Sequence, residues 1–313
     1  MKYKYLINGE EVENIVTPEW SDDLNNYANP FSFSTYTTYE VGSLYQILTE
    51  TGETVLKGII TDFEQSEANV FRFSGFDCGF YINQNEIIEQ FKKIPISDAI
   101  KKLCQNYSIP FGNIPEMSAT VTEIFKDKKL SDVFNQLIEY AKTKGCIKDV
   151  YSTCAQGRFE ILPYQNITDL TGDMSVFSTQ SQKTINSPSI KVSMQDLRNR
   201  VIIADNSDKN RTRVTISDSN SINKYGLLQE VETIDTSKAN NLSKIASDKL
   251  KSLNKLSKTI NMTMLGDYRM RKGVIMPIDC DLYSVQGDFL ITQSKHVIDG
   301  EVEKVSVTLE MRD

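Results

Sequence analysis

A chain of 313 residues is ample for two or three compact domains, and its 39% hydrophobic and 25% charged residues exclude a disordered polymer. No apolar run approaches the ~20 residues needed to cross a bilayer, so membrane insertion is not expected. The net charge of −7 argues against a protein that holds duplex nucleic acid, which needs a lysine and arginine excess on one face.

The opening residues, Met1 to Gly9, are too short and too polar for the apolar region of a secretory signal, so synthesis in a bacterial cytoplasm is expected. From 1 to about 82 the pattern is antiparallel β. Residues 45–50 and 53–60 alternate on either side of Thr51 and Gly52, as in a hairpin whose glycine supplies positive φ. Further strands are expected at Lys2 to Ile7, Phe31 to Tyr36 and Val70 to Phe76. Many short strands with turn signals at this spacing suggest a small barrel or sandwich.

Between about 83 and 184 the period shifts from two to nearly four. Ser97 reads as the N-cap of a helix striped by Ala99, Ile100, Leu103, Cys104 and Tyr107, which stops before Pro110. Ser131 and Asp132 open a second helix striped by Val133, Phe134, Leu137, Ile138 and Ala141, with Gly145 placed as its C-cap. The two openings lie 34 residues apart, which hints at a tetratricopeptide array. No third copy follows, and a solenoid needs about three repeats. Ala119 to Phe125 alternates like a strand between the helices, and Val150 to Cys154 pairs with Arg158 to Leu162. An α-β-α-β-β module results, whose outline resembles the ring-building domains of secretion channels.

From about 185 onward β-structure returns. Ser189 to Met194 and Asn199 to Ala204 alternate, Asp205 to Asn210 reads as a turn, and Arg211 to Ser217 pairs back. Asp218 to Gly226 is expected to be strand-rich. Asp235 caps a long helix with Ala239, Leu242, Ala246, Leu250 and Leu253 on one face. The last strands are Ile260 to Met264, Val274 to Ile278, Phe289 to Thr292 and Val302 to Glu310. The final one is expected to present an open edge unless another subunit covers it.

Little in the chain points to chemistry. His296 is the only histidine, so a serine or cysteine triad or a zinc site has to pass through it. A structural histidine following a strand is the favoured reading, since neither a G-x-S-x-G elbow nor an H-E-x-x-H motif occurs. Phosphate-loop glycine patterns are absent as well. Cys78, Cys104, Cys146, Cys154 and Cys280 form no CxxC pair and mostly fall on apolar positions, as buried free thiols do. Arg269, Arg271 and Lys272, beside a turn glycine, read as a solvated loop. Trp20, the lone tryptophan, is placed beside a strand as a core or interface anchor ahead of a carbohydrate platform.

One resemblance runs through the chain in order. It is carried by Pro18 to Asp22 around Trp20, Phe31 and Phe33, Leu56 to Ile60 around Gly58, Phe71 to Asp77, and Asn199 to Val201. It continues through Asp218 to Gly226, Leu265 to Asp267 with Gly273, Gly287 to Ile291, and the His296 segment. These phrases resemble the baseplate hub proteins of contractile phage tails and phage-tail-like bacteriocins, the XkdQ/YqbQ group of PBSX-like elements.

That resemblance implies a mainly β, α+β chain with two tail-tube-like β-barrel domains, 1–82 and 185–313, around an inserted α/β module, 83–184. It implies a homotrimer forming a pseudo-sixfold ring. Its partners would be the spike, the tail tube protein, the baseplate wedge proteins and the tape measure protein, inside a phage or bacteriocin baseplate. No catalytic, metal or cofactor residue is implied. The residues expected to matter for structure, at turns or barrel joints, are Trp20, Gly58, Asn199, Tyr225, Gly226, Gly266, Gly273, Gly287 and His296. The alternative is a tail-associated peptidoglycan hydrolase or glycan-binding protein, drawn from Trp20, the acids and His296. A secretion-system ring component is a third reading.

Overall fold

The computed structural model describes residues 3–67, 69–171, 185–205, 213–234, 242–280, 285–300 and 302–312. They group into two compact units, Met1–Pro188 with Asn261–Asp313, and Ser189–Ile260. The chain is mainly β.

In the first unit the expected strands form: β1 (Tyr3–Ile7), β2 (Glu10–Glu11), β3 (Val16–Asp23), β4 (Pro30–Thr35), β5 (Leu44–Thr49), β6 (Thr54–Glu67) and β7 (Val70–Asp77). Trp20 lies within β3, not beside a strand. α1 (Gly79–Gln84) follows, and the unit ends with the strands β17 (Ser257–Leu265, from Asn261 on), β18 (Val274–Cys280), β19 (Val285–Asp299) and β20 (Val302–Met311). One sheet path runs β17-β20-β19-β3-β4-β7-β6-β5-β1-β2. It curls enough to bring Tyr3 of β1 edge-on to Trp20 of β3, with ring centroids 5.9 Å apart. Its core is aromatic, with Phe31, Phe33 and Tyr45 stacked at 4.4 to 6.4 Å.

Two expectations change here. The path is open, because among the described residues no strand pairing returns β2 to β3 or β17. The last strand, β20, is interior, with β17 on one side and β19 on the other, so it offers no docking edge. β19 pairs with β3 in register His296 opposite Trp20, so one sheet takes strands from both ends of the chain. That ladder ties the end of the chain to its beginning.

The helical part repeats itself. β8 (Glu86–Pro95) leads into α2 (Ile96–Asn106), and β9 (Thr120–Lys129) into α3 (Leu130–Thr143), so each element recurs after 34 residues. β8 and β9 pair antiparallel about Gln90 opposite Ile124, themselves 34 apart. Lys93 and Asp127, also one repeat apart, share positive φ values of 52° and 51°. The spacing that hinted at a tetratricopeptide array is thus a duplicated β-α unit around a local two-fold. Both apolar stripes pack into one core with Phe91 and Phe125 beneath them.

The helix starts lie earlier than the serines suggested. Pro95 and Lys129 occupy the N-cap positions and neither caps through a side chain. Ser97 is buried with its Oγ unpartnered, because Ile96 already begins the buried face. The C-terminus of α3 agrees with expectation: Gly145, φ +70°, donates to Lys142 O and Cys146 to Ala141 O, closing a Schellman turn. β10 (Val150–Thr153), β11 (Glu160–Pro163), β12 (Gln165–Asn166) and α4 (Ile167–Thr171) complete this part.

The second unit starts within β13 (Ile185–Ser193) and holds β14 (Arg200–Asp205), β15 (Arg213–Ser217), α5 (Ser219–Tyr225), β16 (Gln229–Ile234) and α6 (Leu242–Leu253). β14 is central, antiparallel to β15 and parallel to β16. Ala246 and Leu250 of α6 pack on Val201 and Ile203 of β14, so the long helix covers a three-stranded sheet. The stretch expected to be strand-rich is the helix α5, because Asp218 accepts from the backbone N–H of Asn220 and Ser221 as an N-cap. The expected turn through Asn210, except Asp205, and the helix cap at Asp235 with Ala239 lie outside the described residues.

Candidate functional site

The most distinctive site is a buried polar joint where β3, β19, β20 and the loop 266–273 meet. Alternation points Trp20 and Asp22 of β3 inward, and the register sets them opposite His296 and Ser294 of β19. Trp20 and His296 stack at 4.7 Å, nearly parallel at 7°. Asp22 Oδ1 accepts from Ser294 Oγ at 2.9 Å and from the backbone N–H of Lys272 at 3.0 Å. The Lys272 ammonium, fully enclosed, donates to the carbonyls of Asp23 and Asn26 at 2.9 and 2.8 Å.

His296 uses both ring nitrogens. Nε2 meets the Met270 carbonyl at 3.0 Å and Ser294 Oγ at 3.2 Å, while Nδ1 contacts Glu303 Oε1 at 2.8 Å. Tyr3 OH donates to the other Glu303 oxygen at 2.5 Å. Burial and the adjacent Glu303 carboxylate push the Tyr3 phenol up. Serine, histidine and glutamate thus stand in the order of a hydrolytic triad, yet His296 is 0% exposed and Ser294 2%. A substrate has no path to Oγ, and the serine proton is engaged by Asp22.

The loop 266–273 clamps this joint and is not the solvated segment the sequence suggested. Met270 and Lys272 are fully buried. Asp267 accepts from the backbone and guanidinium of Arg269, Arg271 reaches the Val55 carbonyl at 3.2 Å, and Tyr268 OH donates to Glu53 at 2.6 Å. Two glycines set its ends. A Cβ on Gly266 would lie 2.2 Å from Val305, and one on Gly273, φ +82°, would lie 2.3 Å from the Tyr151 ring.

A second buried carboxylate, Asp77, escaped the sequence reading. Its Oδ1 accepts from the backbone N–H of Asn29 at 3.1 Å and of Gly79 at 2.9 Å, and its Oδ2 contacts the Asn29 amide. Full burial pushes this carboxyl up to about 6, against the pull of those donors and of the Lys272 charge. The signal available in the sequence was an aspartate just ahead of a helix.

The other expected positions fall apart in space. Gly58 lies inside β6 beneath the Phe31 ring, and Gly287 inside β19 opposite Ile278, so these two, like Trp20 and His296, are strand positions and not corners. In the second unit Asn199 and Gly226 do meet. Asn199 Nδ2 donates to Gly226 O at 2.7 Å, its Oδ1 accepts from Leu228 N at 2.8 Å, and its carbonyl accepts from Asp218 N. Tyr225 closes α5 beside them. Cys78, Cys104 and Cys154 are buried free thiols, Cys146 is half-buried, and the side chain of Cys280 lies outside the described residues. Burial holds the Cys104 thiol up at about 12, which keeps it unreactive.

One open cleft of about 470 Å³ lies between α3 and β10. Tyr27, Asn135, Glu139, Lys142 and Ser152 line it, with Tyr27 OH donating to Asn135 and Lys142 paired to Glu139 at 2.8 Å. No histidine or cysteine lines it, and its charged groups neutralise each other. Among the described residues no cluster of three histidine, cysteine or acidic side chains is placed to hold a metal ion. No described helix is long and apolar enough to cross a membrane.

Comparison with known proteins finds the YQBQ-like family model matching residues 18–310. The chain belongs to the YQBQ-like family. Within this YQBQ-like match lie both the joint and the Asn199–Gly226 corner. The chain is 23% identical over 319 aligned positions to the uncharacterized protein YqbQ of Bacillus subtilis, covering 97% of this chain and 94% of that one. It is 22% identical to the phage-like element PBSX protein XkdQ of the same organism, over 74% of this chain and 72% of that one. In fold it is similar to the 43 kDa tail protein of prophage MuSo2 from Shewanella oneidensis, with TM-score 0.74, 12% identity and coverage of 99% and 98%. It is also similar to the Escherichia coli c3393 protein, described as a type VI secretion component that resembles the T4 tail proteins gp27 and gp5. There the TM-score is 0.61 at 10% identity, over 99% of this chain and 77% of that one. The YQBQ-like chain therefore has a phage-tail protein fold.

Proposed function

We propose that the chain is a structural hub of a contractile tail or tail-like bacteriocin baseplate. Three copies form a ring that joins a threefold spike to the sixfold tail tube and starts tube assembly, with wedge and tape measure proteins as further neighbours. The observation that carries this reading is the likeness to a tail protein over 99% of this chain and 98% of that one, beside a PBSX-encoded relative. The joint supports the same reading: it spends its histidine, serine and acids on holding distant strands together. A fully satisfied polar network of this kind rigidifies the part that holds it.

The hydrolase or glycan-binding alternative drew on Trp20 and His296, and both are enclosed, at 3% and 0% exposure. The test is to purify intact tails from the producing strain and locate the chain by mass spectrometry and electron microscopy. The chain is expected in the baseplate around the spike, in three copies. Its absence from purified baseplates overturns the proposal.

A further inference from the structure

The sheet β8–β9 has one face packed on α2 and α3 and the other face open. On that open face sit Ile88 and Ile124, 69% and 64% exposed, the two most exposed large apolar side chains among the described residues. Ile88 pairs with Lys126, two positions from Ile124, so the two isoleucines are diagonal neighbours. β8 and β9 pair only with each other, which leaves both outer edges without a partner strand among the described residues. Lys92, Lys126 and Lys129 surround the patch, and none has an ion-pair partner among the described residues, while Lys128 stands opposite the buried Ile87. The mid-strand acids Glu89 and Glu123 face the helices, bonded to Asn106 and Gln136, so Glu86 at the start of β8, opposite Lys129, is the acid that remains beside the patch.

A surface of opposite character exists on the same chain. β2 ends the sheet path, so its outer edge is also without a partner strand among the described residues. Glu10, Glu11 and Glu13 are exposed there and unpaired with any base among the described residues. Leu44 of β5, on the other side of β1, is bonded to the Asn8 turn that joins β1 to β2, and Val41 precedes it closely in the chain; they are 47% and 57% exposed. This is an acidic edge, opposite in charge to the basic, isoleucine-bearing sheet.

We propose that the basic, isoleucine-bearing face and edge of β8–β9 dock the acidic β2 edge of a second copy. The contact is heterologous, so repeated head to tail it closes into a ring when the rotation allows. It rests on the reading of several copies in a ring and names the surfaces that form it. A chain of net charge −7 repels its copies at long range, and association then requires opposite patches to meet. Screening by salt weakens such a contact.

Charge reversal tests it by sedimentation across protein concentration and salt. Wild type is expected to self-associate at low salt and to dissociate as salt rises. Lys92→Glu with Lys126→Glu, or Glu10→Lys with Glu11→Lys, should each weaken association by about tenfold or more. The chain carrying all four reversals should associate again. All four positions are exposed, and circular dichroism melts of each variant show that folding is kept. Restoration in the fourfold variant supports the interface, since damage to folding cannot be repaired by adding more substitutions. A wild type that stays monomeric at every concentration and salt overturns it, as does a fourfold variant that stays as weak as the two double variants. If the chain is nevertheless found in purified baseplates, the hub reading stands and only this interface falls.

Discussion

Between β3 and β20 the interior holds Asp22, Lys272, Ser294, His296 and Glu303, whereas between α2 and α3 it holds Ala99, Leu103, Phe134 and Leu137. Both regions are buried. They differ in the distance along the chain that they bridge. The helical core joins two neighbouring copies of one β-α unit, and any arrangement that buries both stripes comes close to the native one. The joint brings Lys272 to Asp22 across 250 residues, where apolar burial alone would leave register and direction loose. Directional hydrogen bonds supply that missing information, at the cost of desolvating charges.

The sharpest way to break this comparison is Lys272→Met. The substitution keeps the length and removes both charge-assisted hydrogen bonds, so that the Asp23 carbonyl keeps only the Asn26 N–H and the Asn26 carbonyl loses its ammonium partner. A loss of about 3 kcal/mol is expected from denaturant melts, at roughly 1.5–3 kcal/mol for each hydrogen bond made by the charged group. A variant as stable as wild type would mean that the joint is an ordinary core with polar decoration.

Asp77→Asn sharpens the comparison through pH. The folded carboxyl sits at about 6, above its ordinary 3.8, so the native state holds the proton more tightly than the unfolded chain does. Its stabilising contribution is therefore full below the ordinary value, is lost as pH rises through about 6, and is absent above. Asparagine keeps an oxygen for the Asn29 and Gly79 N–H groups and does not titrate. Wild type should thus lose ground to the variant between about pH 4 and pH 7, by at most on the order of 3 kcal/mol. Thermal melts across that range check it, and a constant gap would show that Asp77 does not titrate there.

The same contrast explains what could be read from the amino acids. The stripes of α2 and α3, the hairpin at Gly52 and the alternation of β20 are local patterns, and they appear where expected. Strand β8 was missed although its partner was found, because Lys92, Lys93 and Pro95 interrupt its alternation where the bulge falls. The site was harder. Trp20 and His296 stood out as single residues, but nothing local says that they stack or that Glu303 and Met270 complete the shell. A run such as Arg269 to Lys272 looks solvated by composition, and only the arrival of β3 from the other end of the chain buries it. Asn199 and Gly226 are 27 residues apart, and their contact depends on β14 and β16 lying parallel.

The smallest expected effect tests the apolar side of the comparison. Leu137 of α3 is 1% exposed, among apolar neighbours with no hydrogen-bond duty. Leu137→Met conserves volume and adds a flexible thioether, so the core can readjust around it without orphaning any group. A loss under about 1.5 kcal/mol is expected in the same denaturant melts, with an unchanged slope. If this swap cost as much as Lys272→Met, packing shape would be specifying the duplicated unit as tightly as hydrogen bonds specify the joint. Tolerance here beside intolerance at Lys272 would place the specificity of the first unit in its polar joint, where strands from the two ends of the chain must find each other.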